Sequence, residues 1–220
     1  MGSITANFQS EAPLSEAATA ALNMGALGAW ADPSKLPSNS RQARILFDEA
    51  RATYAAHLGI RSEYLNFIGE PSFGYFLGLE GLLNPERKFI HSRIDRQEVY
   101  AIAARHNSQR LEVDSKGFIS SYQHSSEQVI AWQLRNGETG IAQPELIDSQ
   151  SLLFIDATTS GARLPLPKNW AVAIYDARAW DGPGGLGILA IADEKNWKNP
   201  IPRMDTQKVP GGTSLPLIIA

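Results

Sequence analysis

Residues 151–190 read SLLFIDATTSGARLPLPKNWAVAIYDARAWDGPGGLGILA and contain three short apolar runs separated by polar turns. Each run has the length of a buried strand. The first two end in carboxylates, Asp156 and Asp176. Ligands of open α/β sheets bind outside the carboxyl ends of the strands, so we expect a functional site where these runs end. The runs are residues 151–155, 171–175 and 186–192.

The rest of the chain alternates between strand and helix patterns. Ser40 is predicted to cap the clearest helix, and Gly59 is predicted to end it in a left-handed conformation. Ser125 or Ser126 is expected to cap a short helix before residue 129. Alternation of this kind predicts the α/β class, with a mostly parallel sheet and helices on both faces. Strands are predicted at 63–68, 88–91, 110–113 and 129–134, and helices at 13–27, 41–58, 73–83 and 95–105.

Composition narrows the class of protein. A chain of 220 residues with 43% hydrophobic content can bury a substantial core. The net charge of -3, without a basic cluster, argues against nucleic-acid binding. No apolar run approaches the ~20 residues of a membrane span, and we predict a cytoplasmic protein. The expected division is an N-terminal arm and helix at 1–30, an α/β domain at 31–192, and a linker or lid with the start of a further element at 193–220.

The absence of cysteine and the spacing of the histidines exclude several kinds of site. Cysteine is absent, which rules out disulfides, thiolate metal sites and a cysteine nucleophile. None of the four histidines pairs with another His, Asp or Glu at metal-ligand spacing, so no metal site is predicted.

A set of motifs carries a resemblance to a known family. The chain has Asp156, then Gly161-Ala162-Arg163-Leu164-Pro165, then Asp176-Ala177-Arg178-Ala179, then Gly182-Pro183-Gly184-Gly185-Leu186-Gly187. This order resembles the class V aminotransferases, which include the cysteine desulfurases and use pyridoxal phosphate. Their pattern is a strand ending in Asp, a Gly-x-Leu-Pro segment, a strand ending Ser-x-His-Lys, and Gly-Pro-x-Gly-x-Gly. Residues 136–144, NGETGIAQP, look like the family's Asn-Asn-Glu-x-Gly-x-x-Gln-Pro loop.

The resemblance implies a fold and a set of cofactor-binding positions. The fold would be the large domain of the aspartate-aminotransferase type, without the small C-terminal domain. Asp156 stands where the family binds the pyridine nitrogen, and Thr159 where a glutamine faces the ring hydroxyl. Arg96 replaces the histidine that stacks on the ring. The remaining implied positions are Asn136 in the earlier loop, Asp176 at the phosphate-binding serine, Arg178 at the histidine beside the lysine, and Thr213 at the threonine lent across a dimer interface.

Two of these positions oppose the family's chemistry. Ala179 stands where the family has its Schiff-base lysine, and alanine has neither a nucleophile nor a titratable group. Asp176 would repel a phosphate by ~4 kcal/mol at ~4 Å and an effective dielectric of about 20. Arg178 or Arg96 could offset this charge by pairing with Asp176. The lysines nearest in sequence, Lys168, Lys195 and Lys198, lie in predicted loops.

Three functional hypotheses follow from these residues. The first is a degenerate cysteine desulfurase-like protein without standard pyridoxal phosphate catalysis, acting in ligand or partner binding, with a homodimer implied by the resemblance. The second is an active pyridoxal phosphate-dependent transferase or lyase with a relocated lysine or a non-covalently held cofactor. The third is a binder of a small anionic ligand, in which Arg96 and Arg178 clamp a carboxylate or phosphate.

Overall fold

The computed structural model describes residues 13–35, 38–146, 150–201, 207–210 and 214–220. Within them, seven strands form one sheet in the order β1-β7-β6-β5-β4-β2-β3. Only the two ladders that β7 makes, with β1 and β6, are antiparallel. The predicted mostly parallel α/β fold is therefore confirmed. The strands are β1 (Leu65–Ile68), β2 (Lys88–Ser92), β3 (Ser108–Leu111), β4 (Gln128–Gln133), β5 (Leu152–Asp156), β6 (Trp170–Asp176) and β7 (Gly187–Ile191).

Helices cover both faces of the sheet, as predicted. Side chains of α2 and α5 pack into the apolar cluster on one face, and α1 packs against α5. The other face carries α3 and α4. None of the described helices is both long and apolar enough to cross a membrane. The helices are α1 (Glu16–Gly28), α2 (Ser38–Leu58), α3 (Pro71–Leu82), α4 (Gln97–Ala103) and α5 (Leu215–Ile219).

Two local predictions are wrong, and the backbone explains both. Helix α2 begins at Ser38, so Ser40 is a buried residue of its first turn rather than its cap. The described residues 112–127, which lead from β3 to β4, contain no helix. Instead, the Ser125 N–H donates to Gln128 Oε1 at 3.1 Å and Ser151 Oγ donates to the Ser125 carbonyl at 2.8 Å, which ties this segment to the start of β5. Gly59 does end α2 with a φ of 67°.

Helix α3 lies unusually close to the sheet because it is rich in glycine. A Cβ added at Gly74 would come within 2.6 Å of Ile174 on β6, and one at Gly78 within 2.4 Å of Phe154 on β5. The absence of side chains at these positions lets the helix backbone approach the strands. This approach brings the next residue, Tyr75, over the end of β5.

The chain order places one set of strand ends together. The six strands β1 to β6 run in the same direction, so their carboxyl ends share one edge of the sheet. Asp156 pairs with Gln133 on one side and Ile174 on the other, while Asp176 pairs with Gly187. The carboxyl edge therefore carries both Asp156 and Asp176, the carboxylates that end the first two apolar runs. The division at residues 30 and 192 stays a prediction.

Candidate functional site

Asp156 is the centre of a buried hydrogen-bond network at the carboxyl edge. It is the last residue of β5 and only 5% exposed. Its Oδ1 accepts from the Thr158 N–H at 2.9 Å and from Thr158 Oγ1 at 2.6 Å. Its Oδ2 accepts from the Tyr75 hydroxyl at 2.7 Å and lies 3.5 Å from Arg96 Nε. The carboxylate is thus satisfied by the protein itself, as buried charges require.

Tyr75 is a site residue that the sequence reasoning missed. Burial raises the pKa of its phenol well above the ordinary value, and the Asp156 carboxylate raises it further. The hydroxyl therefore stays protonated and donates to Asp156. The available signal was a tyrosine within an otherwise largely apolar helix, because a buried tyrosine hydroxyl usually needs a partner.

Arg96 and Thr159 lie together beside Asp156. Arg96 Nη2 donates to Thr159 Oγ1 at 3.3 Å, and the Arg96 side chain is 43% exposed. The loop after β4 covers them, since a Cβ at Gly137 would lie 3.1 Å from Thr159 Oγ1 and 3.2 Å from Arg96 Nη2. The loop therefore packs closely on both side chains, while the Arg96 side chain stays partly exposed.

Asn136 is buried, and its amide holds its own loop. Its Oδ1 accepts from the N–H groups of Glu138 and Thr139 at 3.1 and 2.9 Å. Its Nδ2 donates to the Ile94 carbonyl at 3.2 Å and to Gln133 Oε1 at 3.1 Å. Both ends of the amide therefore fix the loop over Arg96.

Asp176 pairs with Arg178, which decides between the two partners that the sequence left open. Arg178 Nη2 lies 2.6 Å from Asp176 Oδ2, and Arg178 Nε lies 3.0 Å from the same oxygen. The Arg178 N–H also donates to Asp176 Oδ1 at 2.9 Å, which caps the 3-10 turn Ala177–Trp180. Asp176 is buried, whereas the Arg178 side chain is 41% exposed.

A third carboxylate, Asp95, lies near this edge and was also missed. It is 9% exposed and follows β2. Its Oδ2 accepts from the Ser92 N–H at 2.5 Å, but Oδ1 has no hydrogen-bond partner within the described residues. Burial raises the pKa of Asp95 to about 7, and the neighbouring Asp156 charge contributes to the increase. The sequence could not have indicated this buried carboxyl group, because an aspartate shortly after a strand is a common pattern.

The lysines lie away from Ala179. Lys168 lies two residues before β6, at the opposite edge of the sheet, and Lys88 begins β2 at that same edge. Lys195 and Lys198 follow β7, and the Lys198 N–H donates to the Gly81 carbonyl at the far end of α3. The others are equally remote or paired: Lys208 pairs with Glu194, Lys35 with Asp32, and Lys116 lies beyond β3, four strands from β6.

These residues do not fit a covalently held pyridoxal phosphate. Ala179 offers no amine, Asp176 places a carboxylate at the implied phosphate position, and Tyr75 already donates to Asp156. Thr213 lies outside the described residues. Among the residues that the structure describes, no group of three His, Asp or Glu side chains is arranged to hold a metal ion.

Comparisons with known proteins identify the fold. No family model and no curated protein matches the sequence. Solved structures do match: a NifS-like protein with a TM-score of 0.84 at 16% identity, SspA in complex with cysteine with 0.84 at 20%, and the apo cysteine desulfurase from Thermococcus onnurineus with 0.80 at 15%.

The matches cover 97% of this chain but only 66%, 69% and 64% of those chains, respectively, so this chain spans about two thirds of their length. At this identity the likeness establishes the fold alone. The chain has the fold of the large domain of pyridoxal phosphate-dependent aminotransferases, shared with cysteine desulfurases.

Proposed function

We propose that this protein is a cysteine desulfurase-like relative that does not carry out standard pyridoxal phosphate catalysis. Instead, it binds a small anionic ligand at the carboxyl edge of its sheet. The single observation that carries the proposal is that no lysine of the described residues lies at this edge: alanine occupies position 179, after Arg178, and the seven lysines are placed as described above. Without an amine, the family's covalent tether and its proton carrier are both missing.

The charges at the edge support binding of an anion rather than of a cation. Arg96 and Arg178 are each about two fifths exposed, whereas their partners Asp156 and Asp176 are buried. An approaching ligand therefore meets guanidinium groups first. The planar fork of arginine suits a carboxylate or phosphate. Because both arginines already have acidic partners, modest affinity is expected.

The fold supports a second candidate. One solved structure of similar fold is a cysteine desulfurase, and another is in complex with cysteine. An active pyridoxal phosphate enzyme would need its amine from a relocated lysine, or would need to hold the cofactor without a tether. The nearest lysines in sequence, Lys168, Lys195 and Lys198, lie at the opposite edge, which disfavours relocation.

One experiment separates the proposal from the form of the second candidate in which a relocated lysine tethers the cofactor. The full chain is incubated with excess pyridoxal phosphate, freed of unbound cofactor, treated with borohydride and digested for mass spectrometry. We expect no visible absorbance from an imine and no modified peptide from the edge. A cofactor fixed by borohydride to a peptide of the carboxyl edge would contradict the proposal and establish the alternative.

Anion binding is measured separately by calorimetry with inorganic phosphate and with acetate. We expect Arg178→Gln to weaken phosphate binding about tenfold, since a hydrogen bond to a charged group contributes ~1.5 to 3 kcal/mol. The matched control is Arg51→Gln, which removes an exposed arginine that pairs with Asp48 on α2. Equal affinity in both variants, or no binding by the unaltered chain, would show that this edge does not hold the anion.

A further inference from the structure

A separate pocket of about 410 Å³ lies between the end of α2 and the two 3-10 turns Gly161–Arg163 and Ala177–Trp180. Its lining includes Ala179, the position that the resemblance implies for the lysine, but none of Asp156, Asn136, Thr159, Arg96, Asp176 and Arg178. The pocket is therefore distinct from the Asp156 network and from the Asp176–Arg178 pair. Its volume falls within the ~300 to 1,000 Å³ typical of small-molecule sites.

The inner wall of this pocket is aromatic. The rings of Tyr54 and Trp180 have centroids 5.8 Å apart and are inclined at 55°, so they form a corner. Tyr54 also packs edge-on against Phe67 of β1 at 5.5 Å. Leu58 and the methyl group of Ala179 complete an apolar lining. A planar apolar ligand would bury its faces against this corner, where aromatic rings interact favourably.

The walls are held in place by a close contact between the two turns. Gly161 has a φ of 54°, and a Cβ there would lie 3.4 Å from both Ala179 Cβ and Trp180 Cε3. The turns therefore pack directly on each other beside the pocket. A site whose walls are fixed in advance loses little entropy when a ligand binds.

Arg163, His57 and Tyr54 supply the polar groups of the lining. Arg163 lies at the exposed rim, and its Nη1 donates to the Ala179 carbonyl, which anchors the guanidinium beside the aromatic corner. His57 contributes an imidazole from the last turn of α2. Burial raises the pKa of the Tyr54 phenol, and a hydrogen bond with Trp180 offsets part of this, so that side chain stays neutral at pH 7. None of the described residues that line the pocket is acidic.

We propose that this pocket binds a small aromatic monoanion, a carboxylate or sulfonate. Its ring packs against Tyr54 and Trp180, and its acidic group is held by Arg163. Arginine recognises carboxylates and sulfonates through planar, paired N–H donors, and an apolar pocket with one convergent charged group is the usual design of such a site. The inference does not depend on the proposed anion site at Arg178.

The test uses the full chain and two probes of the same shape, 2-naphthoate and the uncharged 2-naphthamide. Calorimetry and Trp fluorescence quenching give the affinity of each. We expect naphthoate to bind about tenfold more tightly than naphthamide, and Arg163→Gln to abolish that preference. Arg51→Gln is the control and should preserve it. Ala162→Phe, at an exposed position of the lining, should fill the pocket and weaken both probes at least tenfold.

Several outcomes would overturn the proposal. One is equal binding of the two probes, and another is the same result from Arg163→Gln and Arg51→Gln. Undiminished binding in Ala162→Phe would place the probe elsewhere on the molecule. Loss of naphthoate binding in Arg178→Gln but not in Arg163→Gln would assign the carboxylate to the other site. Circular dichroism of each variant checks that the fold is retained.

Discussion

The carboxyl edge contains two aspartate–arginine pairs that are built in different ways. Asp156 is held by Tyr75, Arg96 and Thr158, which come from α3, the start of α4 and the loop after β5. Asp176 is held by Arg178, two residues further along the same chain segment. The first pair joins separate elements of the fold, whereas the second stabilises one turn. We infer that the Asp156 network serves stability and that the Asp176 pair can exchange its partner for a ligand.

The largest effect should come from Asp156→Ala. This change leaves the buried Tyr75 hydroxyl and the N–H and hydroxyl of Thr158 without their acceptor. Each group that stays unsatisfied costs ~1 to 3 kcal/mol, which gives a sum of ~3 to 5 kcal/mol. We expect the free energy of unfolding, measured by urea denaturation, to fall by that amount. Asp176→Ala should lose about 1 kcal/mol, since it removes a cap and a partly exposed pair. Equal losses in the two variants would remove the distinction between the pairs.

A second prediction concerns the pH dependence of stability that arises from Asp95, which lies near Asp156. The folded-state pKa of Asp95 is about 7, above its ordinary value of 3.8, because of burial and the nearby Asp156 charge. The folded protein therefore binds this proton more tightly than the unfolded chain. Its contribution to stability is complete below pH ~4 and is lost as the pH rises from about 4 to about 7.

Replacing Asp95 with asparagine should remove this loss. At pH 8 we expect Asp95→Asn to be more stable than the unaltered chain by about 4 kcal/mol, with the difference shrinking toward pH 4. Asp114→Asn is the control, since hydrogen bonds from the Phe118 N–H and others lower the pKa of Asp114 and give the opposite slope. A difference between Asp95→Asn and the unaltered chain that is independent of pH would contradict the assignment.

The fold was predictable because buried parallel strands leave continuous apolar runs in the sequence. Runs such as 171–175 identify strands without any tertiary information. The resemblance added the expectation that Asp156 and Asp176 belong to one site. The first residues of helices were less predictable. Serine is a favoured N-cap residue, but α2 begins at Ser38, two residues before Ser40. Local composition does not fix which turn of a helix is first.

The contacts across the site could not be predicted in the same way. The Tyr75 hydroxyl reaches Asp156 from 81 residues away, and only because Gly74 and Gly78 let α3 lie close to the sheet. The sequence shows the glycines but not the strands that they approach. The Asp176–Arg178 pair, by contrast, is local and was one of two predicted alternatives. Cofactor binding at these residues, the homodimer and the cytoplasmic location stay predictions.

The smallest expected effect is also the one that tests partner exchange most directly. Asp176→Ser removes the carboxylate that holds Arg178 Nε and Nη2 and takes away a negative charge from the proposed anion site. In a buried site the gain would approach the ~4 kcal/mol of two charges ~4 Å apart, but the exposure of Arg178 screens it. We therefore expect phosphate affinity to rise about tenfold in calorimetry at low salt, and the gain to shrink as salt is added.

Two control variants accompany this prediction. The double variant Asp176→Ser with Arg178→Gln should show no gain in phosphate affinity. Asp181→Ser, in an exposed position just beyond the same turn, should change the affinity little. If Asp176→Ser leaves phosphate affinity unchanged, Arg178 does not exchange Asp176 for a ligand. The Asp176–Arg178 pair would then serve stability, as the Asp156 network does, and the two would differ only in how far apart their residues lie in the sequence.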